Sequence, residues 1–172
     1  MGYMVLACRY LLGVVFAMSV AGKVRHRTAF AEFVAALRGM HVVPWMLAPT
    51  AAAAVVALEA LVPLGLLSRY TAPVAFALVV ALMVGFGWAI VHSVRRGYSG
   101  SCRCFGPASA PPRYRHLVRN LLVAAVALVG IYGLSAAPPA GIRWAGAAAA
   151  GFAAAVLASL IVRFDDVVEL FP

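Results

Sequence analysis

The stretch TAPVAFALVVALMVGFGWAIVHSV, residues 71–94, decides the class of this protein. It contains no Asp, Glu, Lys or Arg, and as an α-helix its 24 residues would run about 36 Å. The hydrocarbon core of a bilayer is ~30 Å thick. A helix that is apolar around its whole circumference belongs in a membrane or in the centre of a large protein. This chain has only 172 residues, so the second setting is excluded. Residues 71–94 are therefore expected to span a membrane. Pro73 is tolerated in the first turn, where its missing N–H has no intrahelical acceptor to lose.

Composition extends this reading to the whole chain. Hydrophobic residues make up 65% and charged residues 11%, against ~45–50% and ~25% in soluble domains. The expected fold class is all-α, a polytopic membrane protein forming one integral membrane domain over residues 1–172. Five spans are read at about 3–21, 45–67, 71–94, 117–136 and 142–162. The net charge is +9, with 14 Lys+Arg against 5 Asp+Glu. Such a balance can mark a nucleic-acid binder, but no basic soluble module with interleaved aromatics is present to carry that role. The basic residues instead flank spans and face anionic lipid. No phosphate-cradling glycine loop, no Ser/His/Asp arrangement and no catalytic carboxylate pair appears, which removes hydrolase and kinase readings.

The first run, 3–21, is interrupted by Arg9 and lacks basic residues at its start. Ser19-Val20-Ala21 only weakly imitates a cleavage site, so an uncleaved span is expected. Arg9 can snorkel to the interface or pair inside the bundle. A basic cluster, Gly22 to Arg27, ends the span. From Thr28 to Arg38, Phe30, Phe33, Val34 and Leu37 recur at helical spacing. This is a short amphipathic interfacial helix, with Thr28 as its expected cap. The second span carries Glu59, with Pro63 one turn later. A carboxyl in hydrocarbon must face the bundle interior and find a partner, and Lys23 and Arg9 are the candidates. Glu59 reads either as half of a structural ion pair or a protonated carboxyl, or as an acid that handles protons or contacts a quinone. His92 closes the third span, either as an interfacial hydrogen-bonder or in proton transfer. The fifth span is rich in Ala and Gly, which lets helices approach closely.

The chemically reactive stretch is Ser101-Cys102-Arg103-Cys104-Phe105-Gly106-Pro107, inside a Gly-, Ser- and Pro-rich loop at 97–112. Two thiols stand one residue apart among Arg95, Arg96, Arg103, Arg113 and Arg115. Guanidinium groups favour the thiolate, the reactive form. A disulfide closed over so small a ring strains the backbone and is readily reduced, which suits exchange rather than stapling. Two alternatives stand beside exchange. A thiolate pair can clamp a soft ion such as Cu(I) or Zn, or the loop can be chemically idle. No resident metal is assigned, because a closed zinc site wants four ligands and only His26, His92 or His116 could complete one. Cys8, in the first span, reads as a small buried hydrophobe.

Five spans place segments 22–44 and 95–116 on one side. Those segments hold Lys23, Arg25, Arg27, Arg38, Arg95, Arg96, Arg103, Arg113 and Arg115; the other side has Arg9, Arg69 and Arg143. The charge rule puts the cysteine loop in the cytoplasm. Stable disulfides belong on the opposite side, and arginines recruited to activate thiols bias the count.

Several of these features, in this order, resemble the methylamine-utilisation protein MauE family within the DoxX-like membrane proteins. They are Ala21-Gly22-Lys23 closing the first span, Phe30 and Phe33 on the short helix, and Glu59 with Pro63-Leu64-Gly65. Cys102-Arg103-Cys104-Phe105-Gly106 followed by Arg119-Asn120 completes the set. The resemblance implies a four-helix transmembrane bundle plus one additional transmembrane helix, in the inner (plasma) membrane of a bacterium. It also implies a membrane thiol–disulfide oxidoreductase or electron conduit, acting with a thioredoxin-like partner in forming or maturing disulfides of exported proteins. The fold is similar to that of membrane thiol oxidoreductases that reduce quinone, although those usually carry Cys-x-x-Cys. On this reading Cys102 and Cys104 exchange, Arg103 stabilises the thiolate, and Glu59, Lys23 and His92 lie near a quinone or proton path. The rival functions are a non-enzymatic membrane scaffold or maturation factor, and a soft-metal carrier using Cys102 and Cys104.

Overall fold

The computed structural model describes residues 2–97, 114–136 and 144–162, and over these the chain forms helices and turns with no strand. The helices are α1 (Gly2–Val24), α2 (Arg27–Gly39), α3 (Ala48–Leu67), α4 (Ala72–Arg95), α5 (Tyr114–Ala136) and α6 (Trp144–Val162). A 3-10 turn, Trp45–Leu47, leads into α3. Four segments among the described residues are long and apolar enough to cross a bilayer: Gly2–Val24, Trp45–Leu67, Ala72–Arg95 and His116–Ala136. They match the first four expected spans. The fifth coincides with α6, which has 19 residues and no charged side chain.

The packing pattern is a closed ring. α1 packs on α3, α3 on α4, α4 on α5, and α5 back on α1, while α6 lies against α1 outside the ring. The expected four-helix bundle with one additional helix is therefore present. Its core is built from Leu12, Val15 and Phe16 of α1, Val62 of α3, Phe76 and Val79 of α4, and Val123 of α5, none of them exposed to a measurable degree. The outside is as apolar as the inside. Leu64, Val74, Leu121 and Phe152 all stand well exposed. In water such a surface would drive aggregation; in lipid it matches its solvent.

α2 packs its apolar stripe, Phe33 and Val34, on Ala48 and Ala52 at the start of α3. Glu32 faces outward. This is the short amphipathic helix read from the sequence, with one correction. Thr28 is not the cap. α1 continues through Val24, so little chain remains before α2, and His26 takes the N-cap position in extended conformation without a side-chain bond. Thr28 falls inside the first turn instead.

The 66–72 end of the bundle is tied by hydrogen bonds. Arg9 Nε and Nη2 donate to the carbonyls of Leu66 and Leu67, each at 2.6 Å. These belong to the last turn of α3, whose carbonyls have no intrahelical donor, and a cation there also opposes the helix dipole. Thr71 Oγ1 donates to the Gly65 carbonyl at 2.6 Å, closing the tight connection into α4.

Two glycines on α5 set how closely the ring closes. A Cβ at Gly130 would stand 2.5 Å from the Phe76 ring of α4, and one at Gly133 would stand 2.6 Å from Val5 of α1. Gly130→Leu is expected to destabilise the bundle by about 1–3 kcal/mol through overpacking. The check is a lowered unfolding temperature in detergent, beside an unchanged one for Gly13→Leu, where a Cβ would meet nothing within 4 Å.

Candidate functional site

The first helix carries Lys23 to a place where an unpaired cation cannot stay. The sequence suggests an interfacial basic cluster from residue 22 onward, but α1 runs on to Val24 and Lys23 is only 3% exposed. Its Nζ donates to both carboxyl oxygens of Glu59 at 2.6 Å. Ser19, one turn earlier on the same face, accepts from Lys23 Nζ at 2.9 Å and donates to Glu59 Oε2 at 3.3 Å. Of the two partners proposed for Glu59, the structure selects Lys23; Arg9 is committed to the far end of α3. Glu59 is fully buried. The pair is therefore neutral as a unit, and hydrogen bonds supplement its Coulomb attraction, as a buried pair requires. Two rings complete the surroundings, with Phe33 of α2 at 5.0 Å and Phe86 of α4 at 5.9 Å from the Lys23 nitrogen. Both distances suit cation–π attraction. Pro63 lies one turn after Glu59 within α3 and offers no N–H to the Glu59 carbonyl.

Those same two rings wall a cavity of about 320 Å³ between α2, α3 and α4. Its remaining lining includes Leu37, Val55, Leu82 and Trp88. The cavity is apolar but for the indole of Trp88. His92, half-buried one turn after Trp88, stacks on it with ring centroids 5.1 Å apart. Of the three residues expected at a cofactor, Glu59 and Lys23 thus meet directly, and His92 stands apart, linked to the cavity through Trp88. None of the three is itself in the cavity wall.

A second polar group gathers at the start of α5. His116, Arg119 and Asn120 are 2%, 3% and 4% exposed, and Arg119 Nη2 lies 3.5 Å from His116 Nδ1. Ser93, near the end of α4, is also buried and donates to the Ile90 carbonyl. The sequence reading did not place Ser19, Ser93, His116, Arg119 or Asn120 in the site. The signal for Ser19 was its four-residue spacing from Lys23, which puts both on one helical face. For the α5 group it was the presence of Arg119 and Asn120 inside a span, where polar side chains turn inward.

Cys102, Arg103 and Cys104 lie outside the described residues. The segment that carries them joins Gly97, just after α4, to Tyr114 at the start of α5. His92 and Ser93 at the end of α4 and the α5 group are therefore close in sequence to that segment, and Lys23 shares their end of the bundle, because Gly133 near the end of α5 lies against Val5 at the start of α1. Cys8 does not share it. It is buried next to Arg9, about 22 Å along α1 from Lys23. Among the described residues, no three His, Cys, Asp or Glu side chains converge on a point that could hold a metal.

Breaking the ion pair gives a direct measure of its worth. Glu59→Ala leaves an uncompensated buried ammonium and is expected to cost about 3–5 kcal/mol, read as a fall in unfolding temperature in detergent. The double variant Lys23→Met/Glu59→Leu should recover most of that loss. An equal loss in the double variant would show that shape rather than charge pairing holds this junction.

Comparison with known proteins places this arrangement. The sequence model of the family described as methylamine utilisation protein MauE matches residues 1–133. The methylamine utilization protein MauE of Paracoccus denitrificans is 32% identical over 136 residues, covering 78% of this chain and 72% of that protein. No solved structure matches the chain.

Proposed function

The chain belongs to the MauE family, and from that premise we propose that it is the membrane partner in a thiol–disulfide exchange. In this reading Cys102 and Cys104 pass a disulfide to a thioredoxin-like protein that forms or matures disulfides in an exported protein. The relative's name gives methylamine utilisation as the physiological setting. The observation that carries the proposal is a coincidence of ends. The segment holding the only closely spaced thiols joins α4 to α5 where Ser93, His116, Arg119 and Asn120 are buried, and the Lys23–Glu59 pair closes the same end of α1. Buried polar groups in a membrane are costly and mark function more often than packing.

Oxidation of the dithiol breaks two S–H bonds and forms the S–S bond, releasing two electrons and two protons. A membrane quinone would supply the acceptor for both the two electrons and the two protons. The Cys102–Cys104 disulfide is then attacked by a partner thiolate, a mixed disulfide forms, and the second partner thiol resolves it. Arg103 and its neighbours favour the thiolate form. Lys23, Glu59 and His92 border the path by which protons leave the buried end. The protein acts in the inner membrane of a bacterium, with the cysteine loop on the cytoplasmic side. Burial of Lys23 removes one charge from the count behind that orientation without reversing it.

Two measurements test this. Cys102→Ser and Cys104→Ser, each expressed in cells and trapped with acid and alkylation, should give a partner-linked band with one variant and not the other. Normal cellular function of both variants would instead indicate a scaffold, and metal that copurifies and is lost in either variant would indicate a carrier. Labelling intact cells with a membrane-impermeant thiol reagent should leave Cys102 and Cys104 protected. That protection would mean that the loop draws its electrons from a cytoplasmic thiol source, whereas modification from outside would reverse the orientation and favour maturation of exported disulfides.

A further inference from the structure

Arg9 puts a guanidinium on a membrane-spanning helix, and among the described residues no acid pairs with it. Its Nε and Nη2 donate to the Leu66 and Leu67 carbonyls, while Nη1 has no protein partner among the described residues. The two bonds satisfy backbone oxygens but leave the charge, because a guanidinium stays protonated in proteins. The described carboxylates are Glu32, on α2 at the other end of the bundle, and Glu59, bound to Lys23. The remaining three acids follow α6 in sequence, and α6 starts with Gly146 against Tyr3 at the Arg9 end and runs away from it. Arg69, in the turn after α3, adds a second cation here.

Arg9 stands in the wall of a groove of about 410 Å³ between α1 and α3. Tyr10 and Leu67, also in the wall, are 46% and 78% exposed, so the groove faces outward from the ring onto lipid. Side chains on a helix lean toward its N-terminus. α1 begins at this end, so Arg9, about 10 Å along it, carries its head toward the membrane surface. One turn deeper the lining is apolar. Val14 and Pro63 form the walls, and Gly13 leaves the floor open, with nothing within 4 Å of where a Cβ would stand. Polarity along the groove therefore runs from a cation at the mouth to hydrocarbon below.

We propose that this groove holds one anionic phospholipid, with its phosphate on the Arg9 guanidinium and an acyl chain laid over Gly13. The phosphodiester supplies the missing negative charge, and its oxygens suit the planar fork of an arginine. Basic pockets between membrane helices recognise anionic headgroups on the same terms. A free phosphate ion would answer the charge but leave the apolar length of the groove empty. A zwitterionic lipid would bring an ammonium to an end that already holds Arg9 and Arg69. The cavity between α2, α3 and α4 lacks this order of polarity. Its walls carry no cation, and the nearby Arg38 guanidinium lies over the Trp45 ring at 4.4 Å. A lipid bound at Arg9 would bridge α1 and α3 at the end opposite the Lys23–Glu59 pair, independently of any thiol chemistry.

The test is native mass spectrometry of the purified full chain in detergent, supplied with equimolar dioleoylphosphatidylglycerol and dioleoylphosphatidylethanolamine. A single phosphatidylglycerol is expected to stay bound while phosphatidylethanolamine is lost. Arg9→Gln should lower the bound fraction about tenfold, the equivalent of one hydrogen bond to a charged group. Gly13→Leu keeps the guanidinium but fills the floor of the groove, and it should abolish retention. It also keeps the test open if Arg9→Gln folds poorly, because a Cβ at Gly13 meets nothing in the protein. Arg69→Gln removes a neighbouring charge outside the groove wall and should leave retention at the level of the unaltered protein. Equal retention of the two lipids, equal loss in Arg9→Gln and Arg69→Gln, unchanged retention in Gly13→Leu, or displacement of the lipid by inorganic phosphate would each overturn the proposal.

Discussion

The contact between Lys23 and Glu59 organises the rest of the bundle. A lone ammonium or carboxylate in hydrocarbon is so unfavourable that neither side chain could hold its position without the other. Because they meet, α1 continues a turn past the point where its basic flank would otherwise end it. That added turn presents Lys23 to Phe33, which draws the amphipathic α2 against the start of α3. Phe86 on α4 comes to the same nitrogen. Four helices are therefore indexed to one point, and the register of α1 against α3 is fixed by charge where apolar side chains alone would tolerate sliding.

The two ends of the bundle use polar groups differently. At one end Arg9 and Thr71 donate to carbonyls in the last turn of α3, and those bonds close the backbone. At the other end several buried polar side chains turn toward one another rather than toward helix-end backbone groups. Lys23 and Glu59 satisfy each other, His116 and Arg119 lie side by side, and the Asn120 amide has no hydrogen-bond partner among the described residues. The first arrangement is what stability alone requires. The second retains a cost that packing does not explain, and it lies at the end where the thiols are attached.

Much of the fold was legible because the bilayer imposes a strict rule on length and polarity. The span at residues 71–94 needed only its apolar run, and the α2 stripe needed only the spacing of Phe30, Phe33, Val34 and Leu37. The demand that Glu59 find a cation was also readable, and Lys23 was one of two candidates. What the sequence could not supply was direction. Whether Lys23 belongs to the flank or to the helix depends on how far α1 continues, and that is decided by a residue on α3. His92 was grouped with Glu59 because it lies close in sequence to the cysteine loop, where a proton-transfer role stays open. Its ring instead lies on Trp88, the residue one turn before it. Asn120 drew notice only as part of a pair with Arg119, since nothing in the order of residues reveals that an amide lacks a partner.

α6 has a different standing from the four helices of the ring. It rests on α1 from outside a ring that is already closed, and the family match ends within the last turn of α5. In water, stripping a helix from a bundle exposes a greasy face to a hostile solvent. In a bilayer, the face left on α1 would meet acyl chains of nearly equal character. A peripheral helix is therefore a cheap appendage for a membrane protein, open to gain, loss or replacement over evolutionary time while the four-membered core and its buried chemistry stay as they are.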